Sequence, residues 1–376
     1  LGFGPIALHF ISGSFAVIGN FLFLRFSPFP LFIRLCLPFT YFALYQYSVI
    51  ARSYSLIPVS LFAIAMLYKQ RHKYAATYVL ALCLLSQIHI MTTIIAIVLY
   101  LSFLYEQLNL LHLLTKQTLV NIVSPFLLFS MNVVFIIAVM FPVHRSEIWV
   151  NKFNFQQDNF SIESLLVDVL DKLNEALSGM GLLTLAIVVL SIIYCYRQKT
   201  LIVYSLGIFL LLLFLGIFYG SSWHEGIVFY YFIFSMWIAT NNKPHADNYY
   251  WMSAMLSIVL TIQISWAVAI IRNDALFEYA PGKSIASYIL QNNLAEEDFH
   301  THTHIGFTIN YYLPELNVLQ LSDNLDNVKY IIVEPDFNQL PELVTSDLYT
   351  EIAKFKFKYM WKYEIYDGKV LLLQRN

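Results

Sequence analysis

TLIVYSLGIFLLLLFLGIFY, Thr200 to Tyr219, decides what kind of fold this chain has. The stretch carries no charged side chain. As a helix its length matches the roughly 30 Å of hydrocarbon in a bilayer, and nothing in it would dress a water-facing surface. Runs of the same kind recur on both sides, from Pro5 to Ile271. They place candidate spans at 5 to 25, 31 to 50, 53 to 69, 74 to 88, 90 to 106, 118 to 141, 180 to 196, 200 to 219, 224 to 240 and 249 to 271, about ten in all. The apolar stretch 74 to 106 is too long for one span, and its most polar point, Gln87 to His89, marks the division.

Composition agrees with that reading. Of 376 residues 59% are hydrophobic and 12% charged, about half the charged share of a soluble globular chain. A net charge of -2 and a pI near 6.6 lack the basic footprint of a nucleic-acid-binding protein. Cys36, Cys83 and Cys195 all fall inside apolar runs, where each reads as a small buried hydrophobe, and their spacing offers neither a disulfide framework nor a zinc site. The chain opens at Leu1, without a basic region ahead of the first apolar run, so no secretory signal is legible and the front reads as truncated or processed.

Orientation follows from lysine and arginine in the short loops. One set of loops holds Arg25, Lys69, Arg71, Lys73, Lys116, Arg197, Lys199 and Lys243, against Arg52, Arg145, Lys152 and Lys172 in the other. The first set is therefore expected to be cytoplasmic, with Leu1 and the tail from Arg272 outside. The long external loop, 142 to 179, contains Ile162, Leu165, Leu166, Val169, Leu173 and Leu177 at helical spacing, opposed by Glu163, Asp168, Asp171, Lys172 and Glu175. This predicts an amphipathic helix, either a structural helix on the membrane surface or a mobile lid over a site. A weaker helix of the same type is expected from Glu106 to Lys116. Asn159-Phe160-Ser161 forms an N-glycosylation triplet, meaningful only in a eukaryotic lumen and given no function.

After Arg272 the pattern turns to that of a small soluble α/β domain, so the chain divides into a transmembrane domain, 1 to 271, and an extracytoplasmic domain, 272 to 376. Gly282 to Gln291 reads as a helix, Val328 to Val333 as a buried strand and Leu340 to Lys354 as a helix. Tyr359 to Tyr366 and Lys369 to Gln374 read as a hairpin about the Asp367-Gly368 turn. The tail lacks a phosphate-cradling glycine loop and a nucleophile elbow. His300, His302 and His304 alternate along Phe299 to Ile305. On a strand they share one face, which is either solvated or, less well supported by neighbouring ligands, a metal site.

Polar groups at membrane depth are functional candidates. Here they gather at the expected outer ends of spans: Arg52 and Tyr54 in the segment Tyr45 to Tyr54, His89 at the tip between two short spans, and His224 with Glu225 in Trp223-His224-Glu225-Gly226. Each has a plainer reading. Arg52 also fits a snorkelling interfacial arginine, His89 a histidine bonded to neighbouring backbone, and His224 and Glu225, about 100° apart on a helix, two structural residues.

Taken in order, these features resemble the GT-C membrane glycosyltransferases, in particular bacterial relatives of the protein O-mannosyltransferases and the aminoarabinose lipid A transferases. The likeness runs along nearly the whole chain. It is carried by Ala51-Arg52-Ser53-Tyr54 entering a span that ends in Tyr68-Lys69-Gln70-Arg71, the span pair with His89 at its tip, the His224-Glu225-Gly226 start, and the closing tail that opens with Pro281 to Ile289. The resemblance implies a bacterial inner-membrane enzyme whose site opens at the outer face. Its donor is a sugar on a polyprenyl phosphate and its acceptor a lipid, glycan or protein. Arg52 and His224 would bind the donor phosphate, with His89 and Tyr54 positioning sugar or acceptor. A firm cofactor is not implied, although a divalent metal is compatible, and no metal ligand is assigned. The general base is an aspartate in the family's first external loop, expected ahead of residue 1. Relatives often carry an arginine beside the histidine, where this chain has Trp223 and Glu225. A carboxylate beside a phosphate is unfavourable unless protonated or turned away, so Glu225 is expected outside the phosphate's contacts.

Three other functions compete. A transporter or flippase of lipid-linked sugars predicts inverted repeats and broken spans near the midplane. A noncatalytic scaffold would use the tail to bind a partner. A polymerase or ligase of surface polysaccharide differs chiefly in its acceptor.

Overall fold

The computed structural model describes residues 5–49, 53–109, 116–140, 161–217, 222–242, 246–278, 280–301, 305–316, 318–320, 328–334, 348–362 and 364–376. It is mainly helical, and the chain divides into two compact units, Leu1–Ser265 and Trp266–Asn376. The first contains α1 (Pro5–Phe26), α2 (Leu31–Cys36), α3 (Tyr47–Val49), α4 (Leu56–Tyr68), α5 (Ala75–Ser86), α6 (Ile90–Asn109) and α7 (Lys116–Met140). After these come α8 (Ile162–Leu177), α9 (Gly181–Arg197), α10 (Leu201–Ile217) and α11 (Glu225–Asn242). The boundary between the units falls inside α12 (Ala246–Leu276).

Among the described residues four segments are long and apolar enough to cross a membrane: Ala7–Phe26, Ile90–Asn109, Ile122–Val139 and Tyr249–Leu276. The chain is therefore that of a membrane protein. The bent pair α8 and α9, at 82° to one another, would add one more if it forms a single broken span. Ser53–Tyr68, Ala75–Ser86 and Leu201–Ile217 are shorter apolar helices.

The expected span 31 to 50 is not one helix. Pro38 supplies no backbone N–H and Thr40 is extended, with φ -68° and ψ 157°, so α2 gives way to a 3-10 turn (Leu37–Phe39) and a π-helical turn (Tyr41–Gln46) before α3. Such irregular backbone tolerates a membrane setting where protein encloses it, and Thr40, Tyr41, Phe42 and Gln46 are all buried. The helix expected from Glu106 to Lys116 is not separate at its ends, because Glu106 belongs to α6 and Lys116 begins α7. Residues 110–115 between them lie outside the described set.

At the centre of this unit is α11, buried on every side from Glu225 to Thr240, as an all-round apolar helix must be. Trp237 packs against Phe23 and Phe62, and Phe229 against Phe42. On α10, Gly207 leaves room for the ring of Tyr231, whose hydroxyl donates to the Val203 carbonyl. Small residues play this part in membrane interiors because they let neighbouring groups approach closely.

The second unit holds α13 (Gly282–Gln291), α14 (Ile305–Tyr312) and a sheet of order β2-β1-β3-β5-β4. Here β1 (Phe299–Thr301) runs parallel to β2 (Val318–Gln320) and β3 (Tyr330–Val333). The long hairpin partners β4 (Tyr349–Trp361) and β5 (Glu364–Arg375) are antiparallel. Ile285 and Ile289 of α13 and Ile305 and Ile309 of α14 pack on Phe299, Tyr330, Ile332 and Leu372 of the sheet.

Two expectations for this tail need correction. The hairpin does not reverse at Asp367-Gly368; β4 turns into β5 beyond Trp361, where Lys362 has φ 52°. Gly368 instead lies within the ladder opposite Phe357, whose ring occupies the space that a Cβ would need. A glycine in a strand can mark such a close approach as well as a turn. The helix expected over 340 to 354 is strand from Tyr349 onward, while 335–347 lie outside the described residues. Alternation of Phe355 and Phe357 with Lys354, Lys356 and Lys358 is the two-residue period that the helical reading overlooked.

Candidate functional site

Two irregular turns and one helix start build the site. The 3-10 turn Ser53–Ser55 leads into α4 and carries Tyr54, while the 3-10 turn Ser222–His224 leads into α11 and carries His224. The Tyr54 hydroxyl and His224 Nε2 share a hydrogen bond of 3.1 Å, although 170 positions separate the residues. They are only 7% and 4% exposed.

His89 stands at the start of α6, where its side chain and backbone help to cap the helix. Its N–H donates to Thr92 Oγ1 at 3.0 Å, and its Nδ1 accepts from the Met91 N–H at 3.3 Å. With Nδ1 acting as acceptor, the neutral ring carries its proton on Nε2. Burial pushes the imidazole down to about 4, keeping it neutral at pH 7. The His89 ring centroid lies 5.0 Å from that of His224 and 5.5 Å from that of Tyr54. Among the three, His89 keeps the most exposure.

An aromatic wall backs the cluster. Tyr47 stacks on Tyr54 at 5.5 Å and on Tyr230 at 5.4 Å, and its hydroxyl donates to the Trp223 carbonyl at 3.0 Å. Gly226 makes this possible, because a Cβ there would meet the Tyr47 oxygen at 2.6 Å.

Next to His224, the Glu225 side chain is fully buried and pairs with Lys172, whose Nζ donates to Oε1 at 3.0 Å. The sequence pattern puts Lys172 on the polar side of the amphipathic helix. In α8 it lies instead in the inward stripe with Leu165, Val169, Leu173 and Ala176, while Ile162, Leu166, Val167 and Leu170 are exposed. Offsets of four, seven, eight and eleven residues from Leu165 make one helical face, so the spacing held the signal. Ser161, counted above in a glycosylation triplet, caps α8: its hydroxyl accepts from the Ser164 N–H at 3.0 Å.

Tyr54, His89 and His224 are thus brought together; Tyr47 stacks on Tyr54, Glu225 follows His224 in the chain, and Lys172 pairs with Glu225. Arg52 lies outside the described residues. His300 is the middle residue of β1, and His302 and His304 are outside the described set. Among the described residues no three His, Cys, Asp or Glu side chains gather in a way that would hold a metal.

Two imidazoles and a phenol offer hydrogen-bond donors and acceptors in a largely water-excluded setting. That combination can grip an anionic or hydroxyl-rich group, because each polar contact is worth more where water is scarce. No family model, curated protein or solved structure matches the chain.

Proposed function

We propose that this chain is a membrane glycosyltransferase of the GT-C type, moving a sugar from a polyprenyl-phosphate donor to a lipid, glycan or protein acceptor. The observation that carries the reading is the convergence of Tyr54, His89 and His224 from three distant segments onto one cluster. In the proposed arrangement about ten spans cross a bacterial plasma membrane, the tail from Arg272 lies outside, and the cluster faces the outer leaflet.

The chemistry is a displacement at the anomeric carbon. An acceptor oxygen or nitrogen bonds to that carbon, the carbon–oxygen bond to phosphate breaks, and the electron pair leaves with the phosphate. The acceptor's proton passes to a general base, a role given to none of these three residues. Charge grows on the departing phosphate, so fixed donors beside it lower the barrier. His224 supplies one, oriented by Tyr54; Arg52 is assigned to the same phosphate on its sequence position alone. His89, neutral and donating through Nε2, positions a sugar or acceptor hydroxyl.

The test is transfer of a labelled sugar from polyprenyl phosphate in membranes holding the full-length protein. His224→Ala is expected to reduce transfer about 100-fold, the usual cost of removing one such donor, with membrane insertion unchanged. Transfer at the wild-type rate would remove His224 from the site.

A further inference from the structure

Glu225 poses a problem that α8 answers. Its carboxylate is fully buried, one residue from the proposed phosphate ligand His224, and a buried charge without compensation is costly. Compensation comes from Lys172, on an amphipathic helix that begins 63 positions earlier in the chain than α11, reaching inward among Leu165, Val169 and Leu173. The ammonium is not used up by this contact. It has three N–H donors; Glu225 accepts one at 3.0 Å, while Glu175 makes a longer ion pair at 3.8 Å and Asp168 adds its charge from the same helix. The Lys172 side chain also remains 23% exposed, so the pair is not sealed.

We propose that Lys172 is the cation that receives the phosphate of the lipid-linked donor, and that Glu225 is the positioning residue that holds it beside His224. The inference rests on the transferase reading and adds a ligand to its site. It also explains how a carboxylate can adjoin a phosphate site: Glu225 faces Lys172, and the ammonium stands between two anions. As the carbon–oxygen bond breaks, a phosphodiester becomes a monoester and gains negative charge, which a resident cation stabilises. On this account α8 is part of the site and not merely a surface helix.

Binding of decaprenyl phosphate, inorganic phosphate and uncharged decaprenol to the purified full-length protein tests the idea. Wild type is expected to prefer decaprenyl phosphate over decaprenol, and inorganic phosphate is expected to compete weakly. Lys172→Met is expected to weaken decaprenyl phosphate binding about 10-fold or more, the usual worth of a charged hydrogen bond, and Lys172→Arg to retain most of it. The double variant Lys172→Met/Glu225→Gln separates binding from structure, since it leaves no buried charge unpaired. Binding that stays weak in the double variant supports a phosphate ligand. Wild-type binding in the double variant overturns it, because Lys172 then serves only to neutralise Glu225. A wild type with no preference for decaprenyl phosphate over decaprenol contradicts the transferase reading and this inference together. Binding without any sugar transfer contradicts the transferase reading alone.

Discussion

His89 Nδ1 accepts a backbone N–H and its ring is partly enclosed, so protonation would replace an acceptor with a second donor facing the same N–H. Its folded pKa of about 4, against an ordinary 6.5, gives the sign of the pH effect. A depressed histidine adds stability above pH 6.5 that is lost progressively as pH falls toward 4, because the unfolded chain takes up the proton first. In a ring-labelled protein, the His89 resonance is expected to stay unchanged between pH 7 and pH 5; a midpoint near 6.5 would contradict the capped geometry. Lys172 and Glu225 give a second prediction. Lys172→Met strands a buried carboxylate and is expected to cost about 3–5 kcal/mol of stability, and adding Glu225→Gln should recover most of it. Thermal unfolding in one detergent would check this, and equal loss in the single and double variants would argue against the pair. Of these residues, Tyr54, His89 and His224 were legible as polar groups in apolar surroundings. Lys172 was not, because a lysine among acidic neighbours looks solvated until the stripe from Leu165 to Ala176 is traced around the helix.

Gly207 shows what sets the seam between α10 and α11. The Tyr231 ring fills the position of the absent Cβ, and Tyr231 is fully buried, so it has nowhere to withdraw. Gly207→Ala is expected to destabilise the seam by about 1–3 kcal/mol, although alanine is the better helix former. Hydrogen exchange should become faster in 201–217 and 225–242 while 90–109 is unaffected; unchanged exchange would contradict the packing. Helix positions were readable because hydropathy marks them directly: the stretch quoted first, 200 to 219, is α10 to within two residues. What hydropathy cannot express is backbone irregularity within an apolar run. The segment 31 to 50 reads as one span, yet Pro38 and the extended Thr40 break it, and the enclosed breaks leave little trace in composition. In the tail, Asp367-Gly368 looks like a turn because local chemistry favours one, but pairing of β4 with β5 through Phe357 and Gly368 overrides that preference.

At the scale of the whole chain, the four long apolar segments among the described residues make a membrane protein, and the distribution of lysine and arginine sets the expected orientation. A reporter active only outside the cytoplasm, fused after Asn376, is expected to be active, and one fused after Lys73 inactive; the reverse pattern would place the cluster on the other face and remove it from a lipid-linked donor. The site itself depends on long-range closure, since its residues come from the Ser53–Ser55 turn, the start of α6 and the Ser222–His224 turn. Such convergence follows from packing α4 and α11 side by side through Phe62, Tyr230 and Trp237, which one-dimensional patterns do not reveal. A double-mutant cycle on sugar transfer probes that closure most directly, using Tyr54→Phe, His224→Ala and the two combined. If both side chains serve one reacting group through their shared hydrogen bond, the double variant should be no slower than His224→Ala alone. Losses that multiply, as those of independent sites do, would contradict the claim that these distant residues form a single site.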